Sequence, residues 1–336
     1  VVAQTGKLSL AEINAGGTLW IDSVDVILGR THVGLADISA SNDLILRQGA
    51  TATQGLYLSA GNLLSASGAL STTGIANLSA GQLTAMSIHA DQGLYLSAEQ
   101  RLSLISASTG GDALMQGQYL SVQQVNASNA LLAGGNVNVG GLTVAGTALL
   151  DAKEAASLKG KVSAGQLAVL SEGGASIAGA TIAAENVELQ ARYGVQSAGS
   201  TLAASNVYMD MGLQGITSLP TGWSVTGVLT AKTAGDIRLT DTQFKTEGAL
   251  NLLAGGDLDL YGVKLAAHDL SLSAGGNMIW ALSPNLPAWQ QGKTVEEQFA
   301  QYQTELVAEC ELRATAEGTL SIESAKASAG CNSGVS

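Results

Sequence analysis

The chain has 336 residues, 27 acidic against 15 basic, and a formal net charge of −12. That balance lacks the basic footprint of a nucleic-acid binder and disfavours anionic lipid, and no lysine occurs between Lys7 and Lys153. No apolar run reaches the roughly 18 residues of a transmembrane segment, and only 12% of residues are charged, so Ser, Thr, Asn and Gln must furnish most of the outer surface.

Val1-Val-Ala-Gln-Thr-Gly6 has neither the charged nor the apolar region of a signal peptide. The chain is therefore expected to be an internal segment, flanked by further coils in its parent. From there on it repeats itself. Gln54-Gly-Leu-Tyr-Leu-Ser-Ala60 recurs letter for letter as Gln92-Gly-Leu-Tyr-Leu-Ser-Ala98, 38 residues later, or twice 19. Leu78-Ser-Ala-Gly81 follows Leu58-Ser-Ala-Gly61 by 20, and Ala234-Gly235, Ala254-Gly255-Gly256 and Ala274-Gly275-Gly276 fall at steps of 20. A fixed period of this length is the mark of a solenoid, in which each repeat packs on its neighbours.

The unit is built of strands. Leu250, Leu252, Leu258 and Leu260 alternate with Asn251, Asp257 and Asp259, and Leu270, Leu272, Met278 and Trp280 repeat the pattern one period on. Alternation at period 2 sends one set of side chains inward and the other out. Strands of about 3–5 residues are expected, with glycine at the corners, where positive φ or a tight bend suits it. Only 3 prolines occur, in keeping with a ladder that needs every N–H. Leucine-rich repeats have a similar period, but their Leu-x-x-Leu-x-Leu signature is absent. The expected fold is all-β: a parallel β-helix with one coil per repeat, about 16 coils over some 75 Å at the strand spacing.

Coils are expected over 1–211 and 228–281. The first interruption, 212–227, holds Pro220, Gly222 and Trp223 and reads as an irregular loop. The second, 282–310, opens Ser283-Pro-Asn-Leu-Pro287 and carries Trp289. Thr294 and Glu297 form a Thr-x-x-Glu capping box, and Val295, Phe299, Tyr302 and Leu306 make an apolar stripe at steps of 4, 3 and 4. A helix is expected over 295–309, and a terminal coil over 311–336. The helix either pads the solenoid flank or forms part of a partner-binding surface. On the second reading Trp280, Trp289, Phe299, Tyr302 and Trp223 are the receptor-binding candidates, since aromatics dominate interface hot spots.

Cys310 and Cys331 stand 21 residues apart, about one coil. Residues one coil apart lie within the Cα separation that a disulfide allows, so a bond is expected, and with it an oxidising compartment. Two buried thiols in a reducing compartment are the alternative. No metal site is expected, because His32, His89 and His268 are scattered and two cysteines do not make one. Nor is a cofactor. Asp257 and Asp259, with Asp236 and Asp241 a coil earlier and Arg238 and Lys264 nearby, are the best acidic cluster for a polysaccharide lyase, but solvated outward acids explain them as well. No Gly-x-Ser-x-Gly elbow, P-loop or His-Glu-x-x-His occurs, and no catalytic residue is assigned.

Leu56-Tyr-Leu-Ser-Ala-Gly-Asn62, Leu252-Leu-Ala-Gly-Gly-Asp-Leu258 and Leu270-Ser-Leu-Ser-Ala-Gly-Gly-Asn277 resemble the haemagglutinin repeats of two-partner-secretion exoproteins. That family includes filamentous haemagglutinin adhesins and the CdiA effectors of contact-dependent growth inhibition. The resemblance covers most of residues 1–281 and returns after 312. It implies that the β-helix is right-handed, in a secreted or cell-surface protein of a Gram-negative bacterium, exported through an outer-membrane transporter of the producing cell. It also implies either plain shaft or a region that recognises an outer-membrane receptor of a neighbouring cell. An adhesin segment for host glycan or protein is the alternative, and a lyase the remote one. The family's secretion motif Asn-Pro-Asn is only echoed, at Ser283-Pro-Asn285, and the Val-Glu-Asn-Asn that precedes CdiA toxins is absent. Neither export signal nor toxin activity is expected here.

Overall fold

The computed structural model describes residues 6–220, 222–285 and 294–331. Over the described residues the protein is an all-β parallel solenoid of about 16 turns, set about 20 residues apart, with one short helix. It divides into two compact units, 1–171 and 172–336. Their boundary falls inside the stretch that the sequence presents as one run of coils.

In the first unit the alternation expected from the sequence becomes a set of stacked ladders. Ile21, Ile38, Leu58, Leu78, Leu96, Met115, Leu132, Leu150 and Val169 are successive in-register partners. All are buried. Each such side chain contributes about 1.5–3 kcal/mol of burial, and because the register is parallel, like sits on like in every coil. The strands are longer than the sequence suggests. Ala50–Thr72 is one strand of 23 residues that passes around its corners, with register shifts at Ala60/Leu63 and Ala66/Ala69. Corner residues stay extended, so the ladder is bent rather than cut. The glycines there serve mainly close approach: a Cβ on Gly74 would overlap the carbonyl oxygen of Gln54 in the coil before.

In the second unit the strands are shorter, and many lie within the expected 3–5 residues. Val187, Val207, Leu229, Leu250 and Leu270 form its central ladder. Ile237–Thr240, Leu258–Tyr261, Met278–Ala281 and Leu320–Ile322 make a separate four-stranded parallel sheet.

Two expectations are corrected. Residues 212–227 are not loop throughout. Trp223–Val225 is a strand paired with Leu202–Ala204, and Ile216 bridges Ile237. The helix spans Val295–Tyr302 and does not reach 309. From Thr304 to Ala316 the chain is a strand against Lys264–Ala274. Thr304, Leu306 and Ala308 alternate inward on it, so Leu306 belongs to the sheet core and not to a helical stripe. The insertion therefore ends at 303, and the coil that follows it begins at Thr304.

Candidate functional site

The insertion leaves the second unit at a corner. In the two preceding coils that corner is turned by residues in the left-handed region, Asp241 at φ 50° and Gly262 at φ 63°. In the third coil the chain instead runs out after Ala281 and re-enters at Thr304. Its two ends are tied together where Ser283 N–H donates to the Tyr302 carbonyl at 2.9 Å. Asn285 Nδ2 donates to Asp241 Oδ2 at 2.9 Å, and Asn285 N–H to Ser283 Oγ at 3.0 Å. Thr304 is fully buried. Its hydroxyl lies 2.9 Å from the Leu260 carbonyl and 2.8 Å from that of Ala281, and accepts from Val263 N–H at 3.3 Å. One hydroxyl thus closes the coil beneath the insertion. The capping box forms as expected: Glu297 N–H donates to Thr294 Oγ1 at 3.1 Å, and Thr294 N–H to Glu297 Oε2 at 2.9 Å.

The aromatic candidates do not come together. Trp280 is 4% exposed on Met278–Ala281, stacked on Leu260, and its Nε1 has no hydrogen-bond partner among the described residues. Trp223 is 5% exposed and donates from Nε1 to Ser200 Oγ at 3.0 Å. Both fill the interior and offer no surface to a partner. Tyr302 is half-buried at the helix end. Trp289 lies outside the described residues, as does the side chain of Phe299. A cleft of about 630 Å³ opens near Trp223, lined by Val195, Ser197, Met209, Met211, Leu219 and Pro220 among others.

The acidic cluster is structural. Arg238 Nε and Nη2 donate to Asp259 Oδ2 at 3.0 and 2.8 Å, and the Asp259 side chain is 7% exposed. That bond, and the attraction of the same carboxylate, raise the Arg238 pKa further above its ordinary value. Asp236 Oδ1 accepts from Asp257 N–H at 2.9 Å, Asp257 Oδ1 from Asn277 N–H at 2.6 Å, and Asn277 Oδ1 from Thr319 N–H at 3.0 Å. These carboxylates and amides tie each corner to the next. Among the described residues no group of three His, Cys, Asp or Glu is placed to hold a metal ion, and no helix is long and apolar enough to cross a membrane.

Two arrangements escape a linear reading. His89 Nδ1 lies 2.8 Å from Ser108 Oγ, and its Nε2 lies 2.9 Å from Asp91 Oδ1. This is the order of nucleophile, base and orienting acid, but His89 and Asp91 are each 54% exposed. Water competes for both bonds, and the dry, preorganised surroundings that make such groups catalytic are not provided there. The second arrangement is a column of aromatic rings on the outside of the first unit, Trp20, Tyr57 and Tyr95. The letter-for-letter repeat around Tyr57 and Tyr95 is its signal in the sequence.

The disulfide forms between Cys310 and Cys331, with Cα atoms 4.1 Å apart. It extends the register of Thr304–Ala308 against Ala325–Ala329. No family model, curated protein or solved structure matches the chain.

Proposed function

We propose that this chain is a stretch of stiff solenoid shaft from a large secreted or cell-surface exoprotein of the two-partner-secretion kind. It recognises an outer-membrane protein of a neighbouring cell through the insertion between Ala281 and Thr304, and has no catalytic activity of its own. The observation that carries this reading is the construction of the insertion. Binding segments are commonly displayed on loops held by a rigid scaffold. Here a segment of about 20 residues leaves and re-enters at one corner, its base fixed by Ser283, Asn285 and Thr304 while the ladder continues beneath it. The disulfide supports an oxidising compartment. Acidic and polar flanks support a surface that leaves nucleic acid and anionic lipid alone.

The test is binding of the purified chain to Gram-negative cells, beside a version in which residues 284–303 are replaced by a short Gly-Ser linker. Thr304 is kept because its hydroxyl belongs to the core. Circular dichroism checks that the deleted form stays folded. The reading expects the intact chain to bind and the deleted one not to. Equal binding by the two, or none by either, sinks it.

A further inference from the structure

From Trp20 to Tyr95 an outward column of the first unit runs Trp20, Asp37, Tyr57, Asn77, Tyr95 in direct register from coil to coil, and it passes on to Leu114. Aromatic and short polar side chains alternate, so the rings recur every second coil. At the spacing of parallel strands that is about 10 Å from ring to ring. Exposures are 44% for Trp20, 38% for Tyr57 and 39% for Tyr95.

Each tyrosine ring lies close over a glycine of its own strand. A Cβ on Gly55 would lie 2.8 Å from Tyr57 Cε2, and one on Gly93 would lie 3.1 Å from Tyr95 Cε2. Each ring therefore folds back along its own strand onto the glycine two residues before it. Any larger residue would lift it away. This accounts for the Gly-x-Tyr in both copies of the repeat. Beside the rings runs a line of neutral side chains, Ser39, Ser59, Ser79 and Ser97, in register. Ser79 Oγ donates to Ser59 Oγ at 3.2 Å.

We propose that this face binds an extended, neutral β-1,4-linked polysaccharide, laid along the coil axis. Flat apolar rings stack on the C–H faces of sugars, while hydroxyl and amide groups between them meet the sugar hydroxyls. In a β-1,4 chain successive sugars are turned by about half a revolution, so every second sugar presents the same face. Its repeat is much the same as two strand spacings, about 10 Å. Tyr57, Tyr95 and Trp20 then meet alternate sugars, and Asp37 and Asn77 meet those between. An α-1,4 glucan winds into a helix and cannot follow a straight column. A sulfated or uronic chain is disfavoured, since the column itself carries the carboxylate of Asp37 between Trp20 and Tyr57. This proposal stands apart from the insertion, which belongs to the other unit.

The test incubates the full chain with suspended cellulose, chitin and starch granules and follows its depletion from solution. The same is done with the double variants Y57A/Y95A and Y57F/Y95F. Depletion by cellulose or chitin but not by starch is expected. Y57A/Y95A should weaken it by roughly tenfold per ring, the scale of a hot-spot residue. Y57F/Y95F should keep it, since stacking needs the ring and not the hydroxyl. A second readout, independent of the alanine variant's folding, is NMR of the parent chain with chito- and cello-oligosaccharides, in which the ring signals of Tyr57 and Tyr95 should shift. No depletion by cellulose or chitin, equal depletion by starch, unshifted tyrosine rings, or a folded Y57A/Y95A that binds like the parent would each overturn the proposal. None of these outcomes bears on the insertion.

Discussion

Opening the Cys310–Cys331 bond tests how the last described coil is held. Ala325–Ala329 pairs with Thr304–Ala308, but its side chains are mostly exposed. Leu320 and Ile322 are 44% and 55% exposed. Hydrophobic burial thus contributes little there, and the covalent clip carries most of the local stability. The bond spans 21 residues, and in the chain-entropy account a loop of that size contributes about 3 kcal/mol by restricting the opened state. At about 1.4 kcal/mol per factor of ten, amide protection along Ala325–Ala329 should fall roughly a hundredfold in C310S/C331S. Leu250–Ala254, paired on both sides, should be unaffected. Hydrogen exchange read by mass spectrometry on peptides from each stretch measures both. The reasoning is refuted if protection at Ala325–Ala329 is unchanged, or if both stretches lose protection together.

Leu252 is fully buried between Ala231 and Leu272, so Leu252→Ala should cost about 2–5 kcal/mol, seen as a lower urea midpoint for the second unit; an unmoved midpoint would contradict the ladder packing. Thr304→Val keeps the shape but strips the buried hydroxyl from Val263 N–H and the Leu260 carbonyl. A loss of about 1–3 kcal/mol is expected by chemical denaturation, and no loss would mean that the hydroxyl is not needed to close the coil. The hydrogen bond from His268 and that from Glu311 N–H hold the Asp269 carboxyl below its usual range. Its folded pKa is depressed, so its stabilising effect is complete above the unfolded value near about 3.9 and is lost as pH falls through the lower folded value. Carboxyl ¹³C titration should place Asp269 below ordinary aspartates and move it upward in His268→Ala; an ordinary titration in the parent chain would refute this.

Much of the architecture was legible in the residues because a solenoid is nearly one-dimensional. A period of about 20 fixes the coil, alternation fixes which side chains face inward, and Thr294 with Glu297 fixes where the helix starts. The spacing of Cys310 and Cys331 fixes their pairing, since both reduce to counting along the coil. What needed the tertiary structure was whatever depends on a neighbouring coil. Leu306 satisfies a helical step of 4 from Tyr302 and equally a strand alternation with Thr304 and Ala308. The open edge of Lys264–Ala267 decides for the strand by offering a ladder of partners. Trp223 and Trp280 read as exposed hot spots because tryptophans near irregular segments often are; only the stacked coils show that both fill the interior. The column of Trp20, Tyr57 and Tyr95 depends on cross-coil register, and that register shifts at the corners as coils vary in length. Local sequence sets which face a ring occupies. Only the stacked neighbours set what stands above and below it, because those contacts join residues a whole coil apart.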